Sequence, residues 1–277
     1  MTENYNVVVE KPSHIKWLID TGERLSTADG KEIEVWEFQH EDNDTILSEW
    51  ATHFRNHYCL DSEIDELVSG TGKTKSQYLT EVKFPDCSEV PGPSIRSGDF
   101  AEILIADYLE FYCNYWIPRL RYNDKTIRNE SKKGSDIIGF KVTSLQDSPN
   151  DEMVIFEVKA SFSDTKDNRL QDAVDGSNID EIRRTESLNA LKQRFVSAKE
   201  SQNAKKIERF QNAVARPYKE ISGAAAVLEK SVFDKTNFST VITSKHYNHS
   251  LLLLIVVKGE KMMPLVHKLY RRAADEA

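Results

Sequence analysis

Asp136 and the triplet Glu157-Val158-Lys159 are the residues of this chain whose types and spacing could do chemistry. Asp136 opens the apolar run "DIIGFKV", and the triplet lies toward the far end of a second run, "MVIFEVKA". Side chains alternate along a strand, so Glu157 and Lys159 share a face, and antiparallel pairing of the two runs brings that end beside Asp136. Two carboxylates in a small space repel unless a hard divalent cation lies between them. Mg²⁺ is held by one or two carboxylates together with water and substrate phosphate oxygens. A metal so held polarises a phosphodiester and acidifies an attacking water, and a neighbouring lysine positions that water or offsets developing negative charge. The acid-x-Lys pattern alone is weak, since it recurs at Asp29-Gly30-Lys31, Glu81-Val82-Lys83 and Asp164-Thr165-Lys166. The Glu157 copy is distinguished by ending an apolar strand that follows another strand opened by a carboxylate. The competing reading is a strand pair with ordinary surface charges at its ends.

The elements that must position these groups follow from periodicity. Residues 136–142 and 153–160 read as adjacent antiparallel strands joined by the turn-forming "TSLQDSPNDE". Upstream, "GDFAEILIADYLEFYCNYW" spaces Phe100, Ile103, Leu104, Leu109 and Phe111 as a mostly buried helix carrying Glu102. A carboxylate on so apolar a helix is costly without a partner, which favours a site over a simple cap or ion pair. Downstream come polar, helix-compatible sequence over 178–212, the alanine-rich "SGAAAVLEK", a strand at 251–257 ("LLLLIVV") and a closing helix. The order predicts a mixed α/β domain with a sheet covered by helices. Two prolines and two glycines in "DCSEVPGPSIRSG" interrupt any period, which predicts a domain boundary there. Residues 1–95, with a strand at 32–38 and a helix at 44–59, then form a small mixed module, and residues 96–277 the main domain.

Charge divides at the same place. Residues 1–95 hold 8 Lys and Arg against 19 Asp and Glu, whereas the remainder holds 29 against 26. The acidic third is a poor ligand for a polyanion by itself. Residues 183–219 carry ten Lys and Arg against three Glu, and residues 119–141 carry seven against three acids; either stretch could meet a phosphate backbone or be a solvated face. Arg119, Arg121, Lys132 and Lys133 in the second stretch are the candidate contacts to such a backbone, although lysines in a glycine-containing turn are ordinary. Three dispersed cysteines imply neither a disulfide framework nor a cysteine zinc site, which fits a reducing cytoplasm. The longest apolar run is far short of a membrane span. "SGTGKT" lacks the first glycine of a phosphate-binding loop, because Leu67 stands there, and follows four carboxylates in "DSEIDELV" rather than a buried strand. His53 and His57 have the i, i+4 spacing of a zinc-binding helix, but no Glu follows His53 and no third ligand shows in the sequence, so helix surface or core is expected.

"SGDFAEILIADYL", "GSDIIGF" and "IFEVKAS" together resemble the PD-(D/E)xK nuclease superfamily, whose pattern is a helix glutamate, a strand Asp and a Glu-x-Lys. More narrowly, "GPSIRSGDFAEILIADYLE", "SKKGSDIIGFK" and "GAAAVLEKS" are similar to the HamA family, the nuclease subunits of the Hachiman anti-phage defence system, across most of the chain. The resemblance implies a restriction-endonuclease-like core and a metal-dependent DNA endonuclease. It makes Glu102, Asp136 and Glu157 ligands of Mg²⁺, or of Mn²⁺ in its place, with Lys159 as the catalytic lysine. It also implies a helicase partner, HamB, and suits the acidic third to a docking or regulatory role. Ser135 stands where the superfamily pattern has proline. The roles of Arg183, Arg184 and Gln193, after the Glu-x-Lys strand, stay open. Two other readings remain: a nuclease fold without chemistry that serves as an adaptor for a helicase, and a stand-alone repair or restriction-like nuclease.

Overall fold

The computed structural model describes residues 10–123, 125–144, 146–163 and 167–277. Asp164-Thr165-Lys166 lies outside the described residues. In chain order the strands and helices are β1 (Leu18–Ser26), β2 (Glu32–Phe38), α1 (Asp44–Asn56), the short α2 (Ile64–Val68) and α3 (Lys75–Tyr78), and α4 (Gly92–Phe111). Then follow β3 (Ile137–Lys141), β4 (Glu152–Ser161), α5 (Arg169–Ser177), α6 (Asp180–Ser197), α7 (Ser201–Glu208), β5 (Lys219–Glu229), α8 (Lys235–Phe238), β6 (Leu252–Gly259) and α9 (Met262–Asp275). The strands form one mixed sheet in the order β1-β2-β6-β5-β4-β3. β2, β6, β5 and β4 run parallel, and β1 and β3 pair antiparallel at the two edges.

Alternation along β4 shows how the layers form. Val154, Phe156 and Val158 point into a core with Trp50 and Phe54 of α1, Phe100 and Leu104 of α4, and Leu269 and Tyr270 of α9. Met153 and Ile155 point the other way, against Leu188, Leu191 and Phe195 of α6 and Ile207 of α7. α5 covers the same second face further along, with Leu170 and Val174 on Ala224, Ala226 and Val256. A sheet buried on both faces requires near-continuous apolar strands, as the consecutive buried residues Leu254, Ile255, Val256 and Val257 of β6 show.

Two expectations are corrected. β2 pairs with β6 (Glu34 opposite Ile255), and Trp17, Trp36, Phe38 and Trp50 enter the same core as α4 and α9, so residues 1–95 do not pack as a module of their own. The charge break is real, but charge reports solvent-facing side chains, while the apolar positions of both segments share one interior. The break at 86–98 was expected to end one unit; instead α4 starts inside it, because a proline in the first turn gives up only an N–H that has no helical partner anyway. The helix-compatible stretch 178–212 divides into α6 and α7, with Lys199 between them in the left-handed region at φ 61°.

Alanine-rich "SGAAAVLEK" is strand β5, with Ala224, Ala225 and Ala226 fully buried. Alanine favours helix intrinsically, yet pairing between β4 and β6 overrides that preference, and small residues suit positions beside the bulky side chains of those neighbours. Gly223 takes this furthest: any Cβ there would overlap the ring of Phe156 on β4. Gly223→Ala is expected to destabilise the fold by about 3 kcal/mol through overpacking, read as a lower urea midpoint at unchanged slope; an unchanged midpoint would show that Phe156 moves aside freely.

Candidate functional site

Ile137 pairs with Phe156, so Asp136, one residue ahead of β3, stands opposite Glu157. The Val158 N–H donates to Asp136 Oδ2 at 3.0 Å, tying the aspartate to the peptide between Glu157 and Lys159. Lys159 Nζ donates to Glu157 Oε1 at 2.5 Å. Both side chains lie on the face covered by α5 and α6. α5 closes over Glu157 because Gly176 has no side chain; a Cβ there would sit 2.7 Å from Glu157 Oε1. Glu157 is 5 % exposed, and its Oε2 has no partner among the described residues. Burial, followed by the nearby Asp136 carboxylate, pushes its pKa up to about 7, against the pull of Lys159.

Glu102 arrives from α4, across the end of the sheet, and Arg121 joins it to Asp136. The Arg121 guanidinium lies 2.7 Å from Glu102 Oε2 and donates to Asp136 Oδ1 at 2.8 Å. It also donates to the carbonyls of Ser135 at 2.6 Å and Lys132 at 3.0 Å. Tyr122 adds a hydroxyl donor to Glu102 Oε2 at 2.5 Å. Burial pushes the Glu102 carboxyl up to about 8, with Arg121 pulling it down and Asp136 and Asp99 pushing it further up. The four residues singled out as catalytic therefore gather at one end of β3 and β4.

The candidate DNA contacts divide. Lys133 is exposed and Lys132 half-buried, and both line the pocket that holds Glu102, Arg121 and Asp136. Arg121 is instead an internal counter-ion of the carboxylates. Arg119 lines the same pocket but pairs with Asp107 at 2.7 Å and with Glu110, so its charge is already engaged. Sequence alone cannot separate such arginines from surface ones, because their partners are distant in the chain or lie on the preceding helix.

Asp180 was missed. At the start of α6 it is fully buried, accepts from Ser135 Oγ at 2.8 Å through Oδ1, and leaves Oδ2 without a partner among the described residues. Burial pushes its pKa up to about 6, with Asp136 adding to the effect. Ser135, in the place of the expected proline, thus links Asp136 to this additional acid. In sequence, an aspartate in a helix's first turn looks like ordinary dipole compensation. Of the residues left open, Arg184 pairs with Glu220, Gln193 is exposed, and Arg183 lies near enough to Asp180 to lower its pKa.

A family model described as HamA matches residues 12–273 of the 277. The chain belongs to the HamA family. Membership makes it a Hachiman defence protein. The HamA match begins before β1 and ends within α9, so it takes in the acidic first third along with the carboxylate cluster. No match was found among curated proteins. In this HamA chain, Glu102, Asp136 and Glu157 supply an all-oxygen donor set that suits a hard cation such as Mg²⁺ or Mn²⁺. The buried Oε2 of Glu157 and Oδ2 of Asp180, without partners among the described residues, fit that reading, since buried carboxylate oxygens ordinarily find a donor or a cation. No helix among the described residues is long and apolar enough to cross a membrane.

Proposed function

We propose that the chain is a metal-dependent DNA endonuclease with a PD-(D/E)xK core, the effector subunit of a helicase–nuclease defence complex. The observation that carries this reading is Asp136 placed opposite Glu157, with Lys159 on Glu157 Oε1 and a buried Glu157 Oε2 left over. Asp136, Glu157 and Glu102 would hold Mg²⁺ or Mn²⁺, which supplies a polarised phosphodiester and an acidified water. The chain's own residues do the rest. Val158 N–H holds Asp136 in register with Glu157. Lys159, partly exposed, offers an ammonium beside the carboxylates, where negative charge develops. Lys132 and Lys133 suit phosphates flanking the scissile bond. Arg121 keeps Glu102 and Asp136 neutralised until substrate and metal compete for them.

The acidic first third suits docking to the helicase, HamB, more than direct contact with DNA. Arg121 between two of the carboxylates also favours a second reading, a catalytically silent adaptor whose acids are permanently neutralised. A plasmid-cleavage time course in Mg²⁺ or EDTA, for wild type and Lys159→Ala with and without the helicase, tests both. Mg²⁺-dependent cutting lost in Lys159→Ala is expected. Absence of cutting under every condition, with the helicase still bound, would leave the adaptor. Cutting that ignores the helicase would mark a stand-alone nuclease.

A further inference from the structure

His53 and His57, set aside in the sequence for want of a third ligand, acquire partners from distant segments. Asp107 of α4 is fully buried, and two imidazoles converge on it: His14 Nε2 lies 3.0 Å from Oδ2 and His53 Nε2 3.0 Å from Oδ1. One ligand atom from each of the three residues falls within 4.8 Å of the others. His57 Nε2 is 3.5 Å from His53 Nε2. Arg119 also donates to Asp107 Oδ1, at 2.7 Å, and pairs with Glu110.

We propose that His14, His53 and Asp107 form a transition-metal site, best suited to Zn²⁺, separate from the Glu102–Asp136–Glu157 cluster. Two imidazoles and one carboxylate are borderline donors that suit zinc and poorly suit Mg²⁺. In tetrahedral coordination with bonds of about 2.0–2.1 Å, neighbouring ligand atoms stand roughly 3.3 Å apart. The observed Nε2–carboxylate separations of 3.0 Å lie a few tenths of an ångström from this, while the three ligand atoms span up to 4.8 Å, so the imidazoles draw together on the metal. Charge does not oppose it: Asp107 and Glu110, two carboxylates, face the single guanidinium of Arg119. His14 stacks on Trp50 at 4.5 Å, fixing its ring before any metal arrives.

The three ligands come from the turn ahead of β1, from α1 and from α4, the helix that carries Glu102. A metal there would fasten the acidic first third to the helix behind the nuclease cluster. Metal analysis of the purified full chain after gel filtration tests this, followed by Co²⁺ replacement read by visible absorption. About one equivalent of zinc is expected in wild type and in Glu157→Gln, with an intense tetrahedral Co²⁺ spectrum and a lowered Tm after chelation. At least a tenfold loss of bound zinc is expected in His53→Gln, whose side chain is partly exposed and whose fold is checked by circular dichroism. Zinc below a tenth of an equivalent in wild type, with a weak octahedral Co²⁺ spectrum or none, would overturn the site. So would zinc lost in Glu157→Gln but kept in His53→Gln. The wild-type spectrum decides even if the variant fails to fold.

Discussion

Glu157→Gln is expected to cut DNA cleavage on the order of a thousandfold, the scale of removing one transition-state stabiliser, and at the same time to make the metal-free protein more stable above neutral pH. The amide keeps the volume and leaves an acceptor for Lys159, so the packing under α5 at Gly176 is preserved. What it removes is a buried charge. The carboxyl titrates near 7 in the folded chain against an ordinary value of 4.5, so the folded state binds more protons than the unfolded one between those values. Its contribution to stability is therefore full below about 4.5 and is lost as pH rises through 7. The gain from Gln should be roughly 2 kcal/mol at pH 8 in EDTA and near zero at pH 4.5. Urea unfolding of both proteins at the two pH values checks it. Equal stability at pH 8 would mean that Glu157 finds a cation or water the fold does not otherwise provide.

Arg121→Ala is expected to lower stability in EDTA by about 3–5 kcal/mol, the cost of leaving buried charge unpaired. The guanidinium is shared by Glu102 and Asp136 and also satisfies the carbonyls of Ser135 and Lys132, so its removal exposes all four to one another. Thermal unfolding should fall by roughly 10 °C for a chain of this size. Added Mg²⁺ should recover part of that loss, and more of it than Mg²⁺ adds to wild type, because the cation relieves the same pair of carboxylates. Arg121→Lys should recover little, since an ammonium cannot span both acids and both carbonyls as a planar fork does. A Tm within 2 °C of wild type for Arg121→Ala would show that the carboxylates are neutral before metal binds.

The sequence by itself determined the strand pair and the residues it brings together. "DIIGFKV" and "MVIFEVKA" are apolar, β-rich and joined by a short turn, so pairing is local and register places Asp136 opposite Glu157. A helix as apolar as α4 could only be buried, and Glu102 within it needed a partner. Tertiary structure decided everything that depends on residues far apart. The alanines of β5 are strand because pairing between β4 and β6 overrides their preference for helix, a constraint invisible to intrinsic propensity. β1 and β2 join the main sheet through β6, more than two hundred residues later, so a local shift in charge could not reveal a shared core. Asp180 and Arg121 enter the carboxylate cluster, and His14 and Asp107 meet His53, by the same route. A charged group reads as solvated until its burial and partners are known, because its cost or use is set by the dielectric and the charges the fold places around it.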